Sequence, residues 1–391
     1  MPMLKGKDMA TLPVIENAWL TINEGKIEGF GEMKSLTDEI RGSAVEQHDV
    51  AGRFVFPSWV DSHTHIVYAG NRESEFVDRI KGLSYAEIAA KGGGILNSAS
   101  KLAGESEEAL LEAAFHRLDE VMAQGTGAVE IKSGYGLTVD NEMKILRVIR
   151  KLSDMHPLRI KSTLLGAHAI PAEFKNNKSA YINLVIDEMI PRVAQEGLAE
   201  YIDVFCEANY FDVEDTHRIL EAGVKHGLKP KTHVNQFTIL GGVKASIDHG
   251  AISVDHLEEL GEADITALLS STTIPVALPL CSLFLSIPYT PGRRLIDAGL
   301  PLALASDYNP GSSPSGNMNL AVALACIKMR LTPEEAINAA TINGAAAIEL
   351  LSEMGSIAVG NRASFFITEP VPSFAYLPYS FGANHVDKVY I

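Results

Sequence analysis

The sequence predicts an α/β fold: a (β/α)8 barrel of the TIM type, carrying a small β-sheet, sandwich-like domain made from the two ends of the chain. Three observations lead there. Eight short apolar runs recur between Phe54 and Leu351, amphipathic segments of helical period lie between them, and both flanks have the alternating texture of hairpins. Short apolar runs separated by longer amphipathic ones suit buried parallel strands covered by helices. Eight such units close into a barrel.

The N-terminal flank reads as strand, turn, strand, because Ala18-Trp19-Leu20-Thr21-Ile22 precedes the reversal signal Asn23-Glu24-Gly25. The eight runs lie near 55–61, 128–132, 159–165, 202–207, 229–234, 252–256, 273–278 and 302–307. Helical periodicity is clearest over 107–124, 140–153, 212–226 and 333–351. Beyond the last helix, Gly355-Ser356-Ile357-Ala358-Val359-Gly360 and Ala363-Ser364-Phe365-Phe366-Ile367 return to hairpin texture. Residues 1–53 and 354–391 are therefore assigned to one composite β domain, with the barrel of residues 54–353 inserted between its halves.

Composition sets outer bounds. With 391 residues, 46% apolar and 21% charged, the chain has the content of a folded core and not of a disordered segment. Thirty-three basic against 49 acidic side chains give 33 − 49 = −16, a field that repels nucleic acid and anionic lipid. An anionic small substrate then needs a specific local cation. Cys206, Cys281 and Cys326 are odd in number, far apart and set in apolar surroundings, which fits reduced thiols rather than a disulfide framework. No signal-like N-terminus and no run of about 18 apolar residues is found, so a cytoplasmic protein without membrane contact is expected. Lys91-Gly92-Gly93-Gly94-Ile95 lacks the context of a phosphate loop and reads as a loop at the barrel mouth.

The chemistry is concentrated at strand ends. His63-Thr64-His65 follows the first run, and the two-residue period of a strand puts both imidazoles on one face. His233 lies at the end of the fifth run, His256 ends the sixth and Asp307 the eighth. In this architecture the C-terminal strand ends converge on one rim. His63, His65, His233 and Asp307 thus form an N/O donor set for one divalent metal ion, zinc or iron (Fe2+ or Fe3+), which would lower the pKa of a bound water toward ~7. Asp307 can carry the proton, while His256 can orient the water, stabilise an oxyanion or act as a fifth ligand. Arg72, on the loop after the first strand, is the local cation the acidic chain requires and can hold a carboxylate in a bidentate pair. Read alone, it is a surface charge.

This pattern of strand-end residues resembles the amidohydrolase superfamily of metal-dependent hydrolases. Asp61-Ser62-His63-Thr64-His65, Gly70-Asn71-Arg72-Glu73, Ile131-Lys132-Ser133-Gly134-Tyr135-Gly136, Gly166-Ala167-His168-Ala169-Ile170-Pro171 and Ser306-Asp307-Tyr308-Asn309-Pro310-Gly311-Ser312-Ser313 are similar to its branch of cyclic-amide hydrolases in histidine degradation. The resemblance implies hydrolysis of the ring amide of 4-imidazolone-5-propanoate to N-formimidoyl-L-glutamate, a small anionic heterocycle as partner, and a homodimer. It also implies substrate contacts from Tyr135, His168, Asn309, Gly311 and Ser312. Tyr85, at the start of a helical segment, is a further candidate, with packing as its plainer role. Relatives carry additional strand residues before the position of Met1, so a shortened small domain is expected.

One departure matters. Many relatives place an acidic residue three positions after the fifth-strand histidine, where this chain has Gln236. An amide donates and accepts hydrogen bonds but does not titrate, so Gln236 is assigned to substrate contact and proton transfer to Asp307 and His256. The competing enzyme, an aminohydrolase acting on a purine or pyrimidine, would want a titratable group there. A barrel that has lost catalysis and serves assembly is the alternative of a different class, and the retained donor set argues against it. His48, His116, His156, His217, His226, His249 and His385 lie away from strand ends and are assigned no chemistry.

Overall fold

The computed structural model describes residues 2–83, Glu87 and 93–391. Strands β1 (Ala18–Asn23) and β2 (Lys26–Glu32) form an antiparallel hairpin. It reverses at Glu24 and Gly25, both with positive φ (49° and 73°), the backbone that a tight two-residue hairpin turn needs.

The first apolar run divides between two sheets. Val55–Pro57 is strand β3, followed by β4 (Trp59–Thr64). The Ser58 N–H donates to the Ser364 carbonyl at 3.2 Å, whereas the Trp59 N–H donates to the Gly125 carbonyl at 2.9 Å, so the chain changes partners within one residue. Pro57, which has no N–H to continue a ladder, marks the point. β3 pairs with β12 (Phe365–Thr368), which pairs in turn with β13 (Val386–Tyr390). The ends therefore make two small antiparallel sheets rather than one, linked by a bridge between Lys26 and Arg362 and by shared packing of Ile27, Phe365 and Ile367. Phe366 joins this region to the barrel, its ring 5.4 Å from Phe56 and 4.9 Å from Trp59. Burial of such a side chain contributes about 1.5–3 kcal/mol.

The barrel strands are β4, β5 (Thr126–Lys132), β6 (Arg159–Ala167), β7 (Tyr201–Cys206), β8 (Lys229–Val234), β9 (Ser253–His256), β10 (Ile274–Ala277) and β11 (Ala303–Leu304), eight in sequence order with parallel pairing. The seam between first and last closes through a parallel bridge of Thr64 with Tyr308, with His65 N–H on the Tyr308 carbonyl at 2.8 Å and Asp307 N–H on the His63 carbonyl at 3.0 Å. Buried Asp61 reinforces it, accepting from the Ser306 N–H at 2.9 Å and from the Ser306 hydroxyl. The eighth run was expected to be extended through Asp307. It leaves the regular ladder after Leu304, because Ser306 donates to a side chain and Asp307 adopts a left-handed φ of 57°.

Helices cover the barrel where the periodicity places them. Glu107–Met122, Val139–Met155 and Val213–Lys225 begin at Ser106, Thr138 and Asp212, whose side chains accept from backbone N–H groups of the first turn. The expected helix over 333–351 is interrupted. Pro333–Ala340 starts with a Thr332/Glu335 capping box, and Thr341, at φ −119° and ψ −89°, separates it from Ile342–Ala347. Among the described residues no helix is long and apolar enough to cross a membrane.

Candidate active site

The barrel brings the five strand-end residues together. His63, His65, His233, His256 and Asp307 are each no more than 3% exposed. Ring centroids of His63 and His233 are 4.4 Å apart, those of His63 and His65 5.3 Å, and those of His65 and His233 5.6 Å. Asp307 Oδ1 lies 3.6 Å from His63 Nε2 and 3.7 Å from His65 Nε2. Two triplets, His63/His65/Asp307 and His63/His233/His256, each offer ligand atoms within 4.8 Å of one another.

Two properties fit this cluster to a cation. His63 Nε2 is buried without a hydrogen-bond partner, an arrangement that is costly unless something else uses the lone pair. Burial first, and then Lys132 beside His63 and the His168 and His233 imidazoles beside His65, hold both pKa values well below the usual histidine range, so both rings are in the neutral form that ligates metals. Nitrogen and carboxylate donors in this number suit a borderline divalent ion.

The other ring nitrogens face a second layer. His63 Nδ1 is 2.7 Å from Asp255 Oδ2, His65 Nδ1 is 3.3 Å from the Ser133 carbonyl, and His168 Nδ1 is 3.0 Å from the Gly134 carbonyl. His233 Nδ1 lies 3.0 Å from Asp203 Oδ2, a close ion-dipole approach whose angle is poor for a directed hydrogen bond. These contacts orient the rings and leave their Nε2 sides for the centre.

His256 has φ 88°, followed by Leu257 at φ 63°, an unusual backbone for non-glycine residues. Thr290 donates to its carbonyl at 2.6 Å, and Glu258 Oε1 lies 3.3 Å from its Nδ1. Burial opposes the charged form of His256, but Glu258, Asp307 and Asp255 outweigh it and raise its pKa. Burial raises that of Asp307. An acid and a base thus face one another, both raised above their ordinary pKa values.

The substrate-contact candidates divide. Tyr135 and His168 line the same space: the Tyr135 ring is 5.9 Å from His65, and His168 stacks on His65 at 5.3 Å and 12°. The Tyr135 loop is anchored by buried Glu142, whose carboxylate accepts from the N–H groups of Gly134, Gly136 and Leu137 at 3.0, 2.7 and 2.8 Å. Gln236 is buried with its Nε2 3.4 Å from Cys281 Sγ. Ser312 Oγ donates to Asp307 Oδ2 at 3.2 Å. Asn309 uses its amide within its own loop, donating to the Asp307 carbonyl and Ser312 Oγ, both at 2.7 Å, and accepting from the N–H groups of Gly311 and Ser312, both at 2.8 Å. It braces the loop that carries Asp307. The Arg72 side chain is tucked in rather than solvated, 7% exposed, with its Nε and Nη2 on Glu75 Oε2 at 2.8 and 2.7 Å. Tyr85 lies outside the described residues, as do Lys91 and Gly92.

Comparison with known proteins places this geometry. The profile of the amidohydrolase family matches residues 54–391. The chain belongs to the amidohydrolase family. Similar curated proteins are the imidazolonepropionase of Christiangramia forsetii, 61% identical over 99% of this chain and 94% of that protein, and that of Flavobacterium johnsoniae, 58% identical over the same shares. A more distant imidazolonepropionase, from Thermoanaerobacter pseudethanolicus, is 41% identical over 98% of this chain and 91% of its own length. Among solved structures, the guanine deaminase of C. acetobutylicum aligns at TM-score 0.72 with 14% identity, covering 99% and 98% of the two chains. A triazine hydrolase variant aligns at 0.73 with 16% identity, covering 96% of this chain and 89% of its own. At such identities the likeness shows the shared amidohydrolase barrel alone.

Sequence reasoning missed the second layer of this amidohydrolase site: Asp203, Asp255, Glu258, Glu75, Glu142 and Lys132. Asp203, Asp255 and Lys132 had a usable signal, since charged residues inside apolar barrel strands are seldom buried without a partner. Glu75 and Glu142 sit on amphipathic helices and look like solvated face residues until the loops fold onto them.

Proposed function

We propose that this amidohydrolase performs the reaction of an imidazolonepropionase, hydrolysing the ring amide of 4-imidazolone-5-propanoate to N-formimidoyl-L-glutamate. The observation that carries this reading is the 61% identity to an imidazolonepropionase over 99% of the chain. His63, His65, His233 and Asp307 would hold one divalent cation, Zn2+ or iron, which supplies a Lewis acid and lowers the pKa of water toward ~7.

The chain's own residues supply the rest. Asp307 accepts the proton of the attacking water and delivers it to the departing ring nitrogen, so the new C–O bond and the broken C–N bond balance without a protein nucleophile. Ser312, hydrogen-bonded to Asp307 Oδ2, steadies that carboxylate. His256, held by Glu258, donates to the carbonyl oxygen as charge develops on it. Arg72 binds the propanoate, and Tyr135, His168 and Gln236 contact the ring. Gln236 cannot relay protons, which disfavours a deaminase reading.

The test is turnover of freshly prepared imidazolone propanoate by the metal-loaded protein, with formimino-glutamate as the measured product. Absence of that product, or release of ammonia from guanine or cytosine instead, rejects the reading. Elemental analysis of protein from cells decides between zinc and iron.

A further inference from the structure

Lys132 opens the Lys-Ser-Gly-Tyr-Gly segment, yet neither the cation-binding set nor the substrate contacts use it. It is fully buried at the end of β5. Its ammonium group lies 2.7 Å from Glu130 Oε1, 2.8 Å from Asp203 Oδ2 and 3.4 Å from Asp255 Oδ2. Lys231 also pairs with Glu130 and donates to the Ser62 and Ala347 carbonyls at 3.3 and 3.2 Å. Two lysines therefore face three carboxylates inside the barrel, all fully buried, for a net of 2 − 3 = −1.

A buried ion cluster of this kind is poor evidence for stability, since apolar residues of similar volume often do as well. Its connections suggest another role. The Asp203 oxygen that meets Lys132 is the one beside His233 Nδ1, and the Asp255 oxygen that meets Lys132 is the one beside His63 Nδ1. Asp203 Oδ1 also accepts the His233 backbone N–H at 3.1 Å. The next two carbonyls along the same segment, Ser133 and Gly134, face Nδ1 of His65 and His168. One stretch of β5 and its loop thus addresses four imidazoles, two of them through a shared ammonium group.

We propose that Lys132 is a positioning residue, which by holding Asp203 and Asp255 on one ammonium group sets the ring orientation and tautomer of His233 and His63. With Nδ1 of each ring drawn to a carboxylate, by a hydrogen bond for His63 and by charge–dipole attraction for His233, Nε2 presents its lone pair to the centre. The inference rests on the reading of these histidines as cation ligands. Without Lys132, the two carboxylates repel each other and Glu130, and no longer share a fixed point.

The experiment compares wild type with Asp203→Asn, Asp255→Asn, their double variant and Lys132→Met. Zn2+ affinity is measured by chelator competition, and histidine tautomers by 15N-detected NMR of the metal-free protein. Each Asn variant is expected to weaken Zn2+ binding 10–100-fold, the usual effect of losing an outer partner. Lys132→Met should weaken it at least as much and shift His63 and His233 toward the Nε2-protonated tautomer, a change that a merely structural role would not produce. The double Asn variant should fall short of the product of its singles, because both carboxylates act through one ammonium. If Lys132→Met fails to fold, that coupling still decides. Wild-type affinity and tautomers in Lys132→Met, or strictly multiplicative singles, would overturn the proposal. If wild type itself takes up no Zn2+, the ligand reading fails, while the tautomers of the metal-free protein still test Lys132.

Discussion

Arg72 and Gly311 approach each other so closely that a Cβ added to Gly311 would stand 2.0 Å from Arg72 Nη1. The guanidinium is packed against the loop that carries Asp307 and tethered from behind by Glu75, which also accepts the Gly94 N–H at 3.0 Å. Such a clamp fixes the plane of the guanidinium, with its Nε–Nη2 edge paired to Glu75.

Arg72→Ala is accordingly expected to reduce kcat/KM by about 2–4 kcal/mol, the scale of a partly desolvated charged contact. Arg72→Lys should recover only part of that loss, because a point charge does not reproduce the fork. Gly311→Ala should act like a milder Arg72 variant, raising KM by displacing the guanidinium. Steady-state kinetics of the three variants check this. Wild-type KM in Gly311→Ala, or unchanged kinetics in Arg72→Ala, contradicts it.

Gln236→Glu should remain active and change the pH dependence of kcat/KM, since it brings a new ionisable group beside the ring contacts. Identical pH profiles in wild type and Gln236→Glu, with Gln236→Ala fully active, would take this side chain out of the substrate site.

Asp307→Asn should abolish turnover, because the substitution removes a ligand charge and the proton carrier together. Chelation should do the same to the wild-type protein, with activity restored by one equivalent of divalent metal per chain. A bound ion present at a thousand times its Kd stabilises the folded state by about 4 kcal/mol, so removal should lower Tm by several degrees. Two ions per chain, or full activity after exhaustive chelation, would count against this arrangement.

The metal-free protein should also lose stability in mild acid. Burial, followed by the proximity of His233, lowers the His168 pKa to about 3 from an ordinary 6.5. Its folded pKa is depressed, so the unfolded chain takes up a proton that the folded chain refuses. Stability is unaffected above pH 6.5 and falls between 6.5 and about 3, by at most about 1.4 kcal/mol per pH unit for this group. Denaturant titrations of wild type and His168→Asn at pH 7.5, 6 and 5 measure the difference, and equal slopes would disprove it.

The barrel and its rim were legible because they are written in local patterns. Period-2 alternation put His63 and His65 on one face, and strand ends located His233, His256 and Asp307 before any contact was known. What escaped depends on pairing between distant segments. Within 55–61 only Pro57 hints that Val55 and Trp59 serve different sheets, since the change itself is made by backbone partners at Ser364 and Gly125. Asn309, a substrate contact by resemblance, also braces its own turn by accepting from the Gly311 and Ser312 N–H groups, a role its sequence position does not announce. Glu75 is only three residues from Arg72, but its burial depends on the Gly94 N–H, which comes from a segment 19 residues away.

The closure of the barrel seam also orders events during synthesis. Asp61 and Ser306, which fasten the first strand to the last, are 245 residues apart, and His63 and Asp307 lie just beyond them on the same two segments. A growing chain therefore displays His63-Thr64-His65 long before the carboxylate that completes the set leaves the ribosome. Were these residues to hold a cation, the full donor set would be available only after Asp307 has been made, and pulse labelling of ribosome-bound chains should find Ser306 among the last amides to gain protection. An ion arriving early meets only a pair of imidazoles and can leave again, so the closing strand acts as the latch that turns a transient visitor into a resident one.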